Sequence, residues 1–494
     1  MIRRAAVLLR RRPAVTALLF LFLLPFSAPA RAPAAIEPAL DQAALRRHID
    51  YLASDALEGR APGTQGGMLA AHYIATEFAR AGLLPGAPGG GWYQPVALVE
   101  RMPLAALARW RVGGVPVSLD PTQMRFLPEG ATATLVRSPV IFAGFGTDPG
   151  SLDYAGKTVL VLSDRPDGAA PFEERRRGFV ERGAQAVLAL VGVDDPWELI
   201  RDQLGEARTG PAEQRHAPVE GALAAPAWRR LVPAGLLATA ATPGFKPQPL
   251  AVTLDLDATA AVRRYDSVNV MGRLPGATRG DEAVLYLAHW DHLGLCRPPG
   301  AIDRICNGAV DNASGVATLI EVARRFVRGQ RMPRSLYFIA TTGEENGLLG
   351  ARALARVPPV PLARIAAAVN FDTVAIMGAG APIATIGRGQ TPLDPLIDEA
   401  AARQGRAVDT SEAANAFLAR QDGYALLEAG VPAIMAGGAF SDIQRLAAFL
   451  GGDYHKPGDD PDHPIPLDGA AEDGAFHVVL GRMLADPDKN PIAR

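Results

Sequence analysis

Short unbroken apolar runs, rather than long alternating ones, set the pattern of the C-terminal half of this chain. EAVLYLAHWDH (282–292), RSLYFIATTGEE (334–345) and IAAAVNFDTVA (365–375) each read as a buried strand. Between and beside them, SGVATLIEVARRFVRG (314–329) and NGLLGARALAR (346–356) carry apolar residues at helical spacing. Strands alternating with helices predict a largely parallel sheet covered on both faces. Ligands of such sheets gather beyond the C-terminal ends of the strands.

A second, smaller pattern of the same kind lies upstream. SPVIFAGFG, GKTVLVLSD and GAQAVLALVG are strand-like, with FEERRRGFVERG as a helix between the last two. GVPVSLDPTQMRFLP before them and GFKPQPLAVTLDLDATAAV after them read as edge or linker strands. Residues 38–84 are expected to be helical, with a break at the Gly and Pro of LEGRAPGT and a stop at Gly82. PGAPGGGWYQPVAL then reads as a loop leading into a strand. The expected division is 1–32 as a targeting segment, 33–130 as the first part of the main domain, 131–255 as an inserted α/β module, and 256–494 as the core.

The first thirty residues stand apart. MIRRAAVLLRRRPAV is positive, TALLFLFLLPF is apolar, and SAPARAPA supplies small residues, the layout of a secretory signal peptide. An uncleaved anchor is the other reading, although the apolar core is short for a spanning helix. No later segment is long and apolar enough to span a membrane. The protein is therefore expected to be exported, periplasmic or secreted. Two cysteines, Cys296 and Cys306, invite a disulfide in such a compartment, with two free core thiols as the alternative. The 494-residue length allows two or three domains, and a net charge of -2 without a basic block gives nucleic-acid binding no support.

Chemistry enters at the predicted strand ends. His289 and Asp291 leave one strand, the adjacent Glu344 and Glu345 another, and Asp372 a third. Asp311 precedes a helix, and His455 lies in the later loop GGDYHKPGDD. Any one has an ordinary explanation: Asp311 as a helix cap, Glu344 as a solvated first-turn acid, His455 as a loop histidine. Together, carboxylates converging over a buried sheet repel one another and resist desolvation. Divalent cations remove that cost, and a mixed His/carboxylate set suits zinc, with cobalt or manganese as alternatives.

The chain resembles the M28 family of zinc aminopeptidases, in the exported bacterial branch with an inserted protease-associated (PA) domain. AHWDHLG, NGAVDNASG, TTGEENGLLG, VNFDTV and DYHKPGDD carry the resemblance, in the family's order. YLASDALEGRAPGTQGGMLAAHYIATEFARAGL and VIFAGFG…DYAGKTVLVL extend it over almost all of the chain after the targeting segment. The resemblance implies two zinc ions per chain. His289, Asp311 and Asp372 would hold one, and Asp311, Glu345 and His455 the other, with Asp311 bridging. It implies Glu344 as general base, Asp291 as the residue orienting His289, and a cis Asp311–Asn312 peptide. The implied reaction is removal of N-terminal residues from peptide substrates by a zinc-activated water.

One loop departs from the family: Gln421, Asp422, Gly423 and Tyr424 stand where a serine-aspartate-histidine run before an aromatic is usual. That leaves substrate choice open and the ligand set intact. Asp422 or a nearby acid is the expected partner of a substrate ammonium, and the apolar YALLEAGVPAI suits an uncharged first residue. A carboxypeptidase or dipeptidase on the same scaffold would need a cationic pocket, for which Arg304, Arg388 and Arg420 are candidates. A non-enzymatic receptor-like scaffold should have lost ligands or base. Three further readings are structural: Glu58 and Arg60 pairing with each other or capping the adjacent helix, GAGAPIATIG (378–387) as a turn, and His216 as a solvated loop residue. The 131–255 module, without ligands of its own, is expected to cover or shape the pocket.

Overall fold

In the computed structural model, residues 36–164, 170–213, 217–242 and 244–492 are described. The expected targeting segment and His216 lie outside them. The three C-terminal apolar runs form the strands Arg279–His289, Arg334–Thr341 and Ile365–Asn370. With Ala433–Gly437 they make a four-stranded parallel sheet in the order 433–437, 365–370, 279–289, 334–341. Successive residues point to opposite faces. Val284 and Tyr286 join Phe338 and Phe371 in one apolar layer, and Leu285 and Leu287 join Ile339 and Leu426 in the other.

Helices cover the first layer. Gln42–Leu52, Gln65–Ala81, Gly315–Arg328 and Leu467–Leu484 supply Ile49, Ile74, Phe78, Ile320 and Phe476 to it. Thr64 caps the second helix by accepting from Gly67 N, and Gly82 ends it in the left-handed conformation with φ 96°. Leu349–Arg356 and Gly423–Glu428 pack on the other side.

The sheet does not stop at this half. The 27-residue strand Gln248–Leu274 pairs antiparallel with 334–341 through its last residues and with Thr132–Phe142 through its first. From there Thr158–Leu162, Ala186–Leu190 and Val219–Leu223 continue in parallel, and Met124–Pro128 closes that edge antiparallel. This outer half has its own apolar layers, Phe142, Leu160, Leu188 and Trp228 on one face and Ile141, Val159 and Phe179 on the other. A second long strand, Tyr93–Val112, runs antiparallel beside residues 252–270. The expected boundary at 255 falls inside the 248–274 strand, so one sheet passes through both halves. Glu37–Arg494 forms a single compact unit.

The strand expected after the loop at 85–92 runs as far as Val112, although Pro95 and Pro103 lie within it and each lacks a ladder N–H. The register explains Pro103. Ala260 pairs with Pro103 and Thr259 with Ala105, so Leu104 is an extra, exposed residue. A bulge there tolerates the missing N–H of proline. Among the described residues no helix is long and apolar enough to cross a membrane.

Candidate metal centre

Three strand ends and two loops converge on one point. His289 is the last residue of its strand. Its ring Nδ1 donates to the Asp291 carbonyl at 3.1 Å, which turns Nε2 inward. That nitrogen lies 3.2 Å from Asp311 Oδ1 and 3.5 Å from Asp372 Oδ1. On the opposite side, His455 Nε2 lies 3.3 Å from Asp311 Oδ2 and 2.9 Å from Glu345 Oε2. Asp311 thus presents one oxygen to each histidine, and the five expected ligands meet in one cluster.

Asp311 is held by its backbone. Val310 N and Asp311 N donate to the two carboxylate oxygens of Asp459, at 2.8 and 2.9 Å. The Asp311–Asn312 peptide is cis. Asn312 donates to Phe371 O at 2.8 Å and accepts from Gly315 N and Thr373 N, tying the Asp311 turn to the strand end that carries Asp372. Asp311 is therefore not the cap of the following helix; the Asn312 side chain takes that bond. On the third strand end, Ser267 and Thr342 share a hydroxyl hydrogen bond of 2.6 Å, and Asn269 accepts from Thr342 N. These bonds fix the turn into Glu344 and Glu345.

Asp291 lies against His289, the residue it is expected to orient. Its carbonyl, not its carboxylate, accepts from His289, and the carboxylate lies 4.0 Å from the ring. The carboxylate instead accepts from Glu344 N at 3.3 Å. Asp422 is fully buried and accepts from Thr341 Oγ1, so it backs a strand end. The pocket beside the cluster is walled instead by Glu344 and Asp372 with Ile386, Phe417, Met435, Phe440 and Leu446. Tyr424 packs near Leu348 and Ala425, away from that wall. Arg388 forms a two-pronged pair with Asp398, while Arg420 sits at the pocket over the Phe417 ring.

The carboxylates and imidazoles of the cluster perturb one another strongly. Burial opposes a charged His289, yet Asp372 and Asp311 outweigh it and hold the imidazole pKa well above its usual value. His455 is pushed up to about 9, against burial, by its contacts with Asp311 and Glu345. Burial raises Glu344 well above the usual carboxylate range, and Asp372, Asp422 and Glu345 add to that. Glu345 is lowered to about 2 despite burial and the Asp311 charge, because His292 and His455 stabilise its ionised form.

Bare imidazole nitrogens facing carboxylate oxygens repel unless a proton or a metal lies between them. Asp311 Oδ2 and His455 Nε2 are buried atoms without a hydrogen-bond partner among the described residues. With His289 Nδ1 committed as a donor, its Nε2 carries a lone pair toward two carboxylates. The donor set and these orphaned atoms fit divalent cations on both sides of Asp311.

Three residues escaped the sequence reading. His292 Nδ1 donates to Glu345 Oε1 at 2.6 Å, and His292, Asp311 and Glu345 are close enough to share a metal ion. Its signal was its place three residues after His289 in the same strand-exit motif. Asp459 lay unmarked within DYHKPGDD. Arg60 was read as a partner of Glu58 or a cap; its guanidinium is instead wholly buried beneath the cluster.

A mixed sheet that gathers two histidines and three carboxylates beyond its strand ends defines an α/β protein with a buried cluster that could hold metal ions. Residues 269–476 match Peptidase family M28. It is 26% identical over 369 residues to the probable lipoprotein aminopeptidase LpqL of Mycobacterium tuberculosis, covering 68% of this chain and 64% of that protein. It is 47% identical over 108 residues to a probable zinc metalloprotease of Pyrenophora tritici-repentis, covering 21% of this chain and 24% of that one. The chain thus spans less than two thirds of the length of either relative. The aminopeptidase from Aneurinibacillus sp. strain AM-1 shares the fold, with a TM-score of 0.53 at 18% identity over 92% of this chain and 97% of that one.

Proposed function

We propose that the protein is a zinc-dependent aminopeptidase that hydrolyses N-terminal residues from peptides, with two zinc ions held by His289, Asp311, Glu345, Asp372 and His455. The observation that carries this reading is Asp311, whose two oxygens face His289 on one side and His455 on the other. When bound, zinc supplies Lewis acidity that lowers the pKa of water and polarises the scissile carbonyl.

The chain's own groups do the rest. Glu344, at the pocket wall, takes a proton from the attacking water on its carboxylate and passes it to the leaving amine nitrogen. Asp291 holds the Glu344 amide and, through its carbonyl, the His289 ring, so it positions both. Glu344 and Asp372 give the pocket the negative field that a substrate ammonium needs. Phe417, Met435, Phe440 and Leu446 suit an uncharged first side chain. The acids that face the pocket, rather than Asp422, support amine recognition.

The outer half of the sheet supports the reading of residues 131–255 as a PA-like insertion that shapes access, since both potential metal clusters among the described residues lie elsewhere. The Cys296–Cys306 disulfide supports an exported protein. Arg420 favours one second reading, a carboxypeptidase, because it offers a cation at the pocket.

A panel of matched peptides with free, acetylated and amidated ends, read by mass spectrometry beside metal analysis, tests the proposal. Stepwise loss from the N-terminus, blocked by acetylation and indifferent to amidation, is expected, with two zinc ions per chain. Cleavage that survives acetylation and stops on amidation selects the carboxypeptidase. No cleavage of any peptide by metal-loaded protein overturns both.

A further inference from the structure

The turn Asp55–Arg60 lies between the first two helices, far in sequence from every metal ligand. Gly59 has φ 68°, and a Cβ there would come within 2.4 Å of Cys306 O and 2.7 Å of Gly294 O. The turn therefore sits directly on the small hairpin of Gly294–Leu295 and Ile305–Cys306, which the disulfide closes. This approach sends the next side chain, Arg60, into the interior.

A guanidinium has five N–H groups, and each of Arg60's has a backbone carbonyl. Nε donates to Trp290 O at 2.7 Å. Nη1 donates to Leu52 O at 3.2 Å and to Asn307 O. Nη2 donates to Gly308 O at 2.7 Å and Asp311 O at 3.3 Å. Trp290 stands between His289 and Asp291, Asn307 and Gly308 open the Asp311 turn, and Asp311 is the central ligand. The loop after His289 and the turn before Asp311 lie outside the parallel strands. Arg60 joins them, and Asn307 ties the same turn to Ala53 O and Asp55 Oδ1, at 2.7 and 2.9 Å.

We propose that Arg60 is a positioning residue of the metal centre: its rigid donor fan sets the spacing between His289 and Asp311, and so the metal affinity. It comes from outside the span 269–476 that matches the family. The inference rests on the reading of the cluster as a zinc site. Lysine retains the charge but offers one flexible ammonium, so Arg60→Lys isolates the geometry of the fan.

The outer half of the sheet supplies a control. Arg175 also grips strand-end carbonyls, those of Ala170, Phe145, Leu162, Ser163 and Asp164, with no metal ligand nearby. The test uses the wild type, Arg60→Lys, Arg60→Gln and Arg175→Lys. Zinc dissociation constants come from competition with a chromophoric chelator, and melting of the chelator-treated proteins from circular dichroism. Arg60→Lys is expected to fold and to bind zinc about 10–100-fold more weakly. Arg175→Lys is expected to melt earlier with zinc affinity within about twofold of wild type, the effect of a fan that only holds structure.

Zinc affinity within twofold of wild type in both Arg60 variants overturns the proposal. So does an Arg175 variant that loses as much affinity, and so does failure of both Arg60 variants to fold, which makes Arg60 a folding residue. A wild-type protein that binds no zinc refutes the metal reading itself, an outcome distinct from these.

Discussion

The two halves of the sheet are built alike and used differently. Each has parallel strands lined by aliphatic side chains on both faces, and each has a buried arginine whose guanidinium grips several backbone carbonyls of the turns around them. In the inner half the strands end in His289, the Thr341–Glu345 turn and Asp372. In the outer half they end in Ala143, Ser163 and Val191, where Ser163 N and Val191 N bond onward to neighbouring carbonyls. The arginine fan and the strand order are thus generic. What sets one end apart is the placing of carboxylates and imidazoles, and the buried amides that hold them.

The sharpest way to break this comparison is to exchange a strand-end acid in each half. Glu344→Gln is expected to lower peptide turnover by about 10²–10⁴-fold with zinc content retained. Asp164→Asn, at the corresponding place in the outer half, should leave turnover within about twofold. Steady-state kinetics with metal analysis decide it. Next in size is Asp459→Asn, which replaces one of the two oxygens that hold the Val310 and Asp311 amides. Zinc affinity should fall about 10–100-fold in a chelator competition, while the circular dichroism spectrum stays native.

Stability separates the halves in a third way. Leu188→Ala removes a wholly buried side chain of the outer core and should cost about 2–5 kcal/mol. Denaturant melts should show the loss, and turnover per folded molecule should hold near wild type. The smallest effect is expected for the double replacement of Cys296 and Cys306 by serine. Closing a loop of this size contributes roughly 2–3 kcal/mol in chain-entropy terms. The variant should melt earlier, and it should lose some zinc affinity, because the turn that carries Gly59 and Arg60 sits on the hairpin it loosens. Labelling of two thiols in the native, oxidised wild type would remove the basis of this prediction.

Much of the inner half was legible because its signals are local. Apolar runs ending in His289, Glu344 or Asp372 announce both a strand and what it delivers, and the five ligands do meet. The residues that escaped act through space. Arg60 touches carbonyls more than 200 positions away, a partnership with no periodicity to betray it. Asp459 binds amides rather than side chains, so its role depends on where the Asp311 turn lies. That Asp291 meets His289 through its carbonyl depends on how the chain turns after the strand, which no local pattern records. The 93–112 stretch was read only as a loop leading into a strand; its 20-residue length follows from pairing with the distant 248–274 strand.

The paired strands 93–112 and 248–274 have an architectural consequence. Val112 lies opposite Val252 and Tyr93 opposite Val270, so the chain departs for the outer half and returns from it side by side. Everything between those crossing points is, in effect, cargo on the tip of a hairpin. Such an arrangement ties the outer half to the inner strands through one pair of adjacent stems. A short turn joining the stems near 112 and 252 would close the gap, and the bulge at Leu104 marks where the splice could be moved inward.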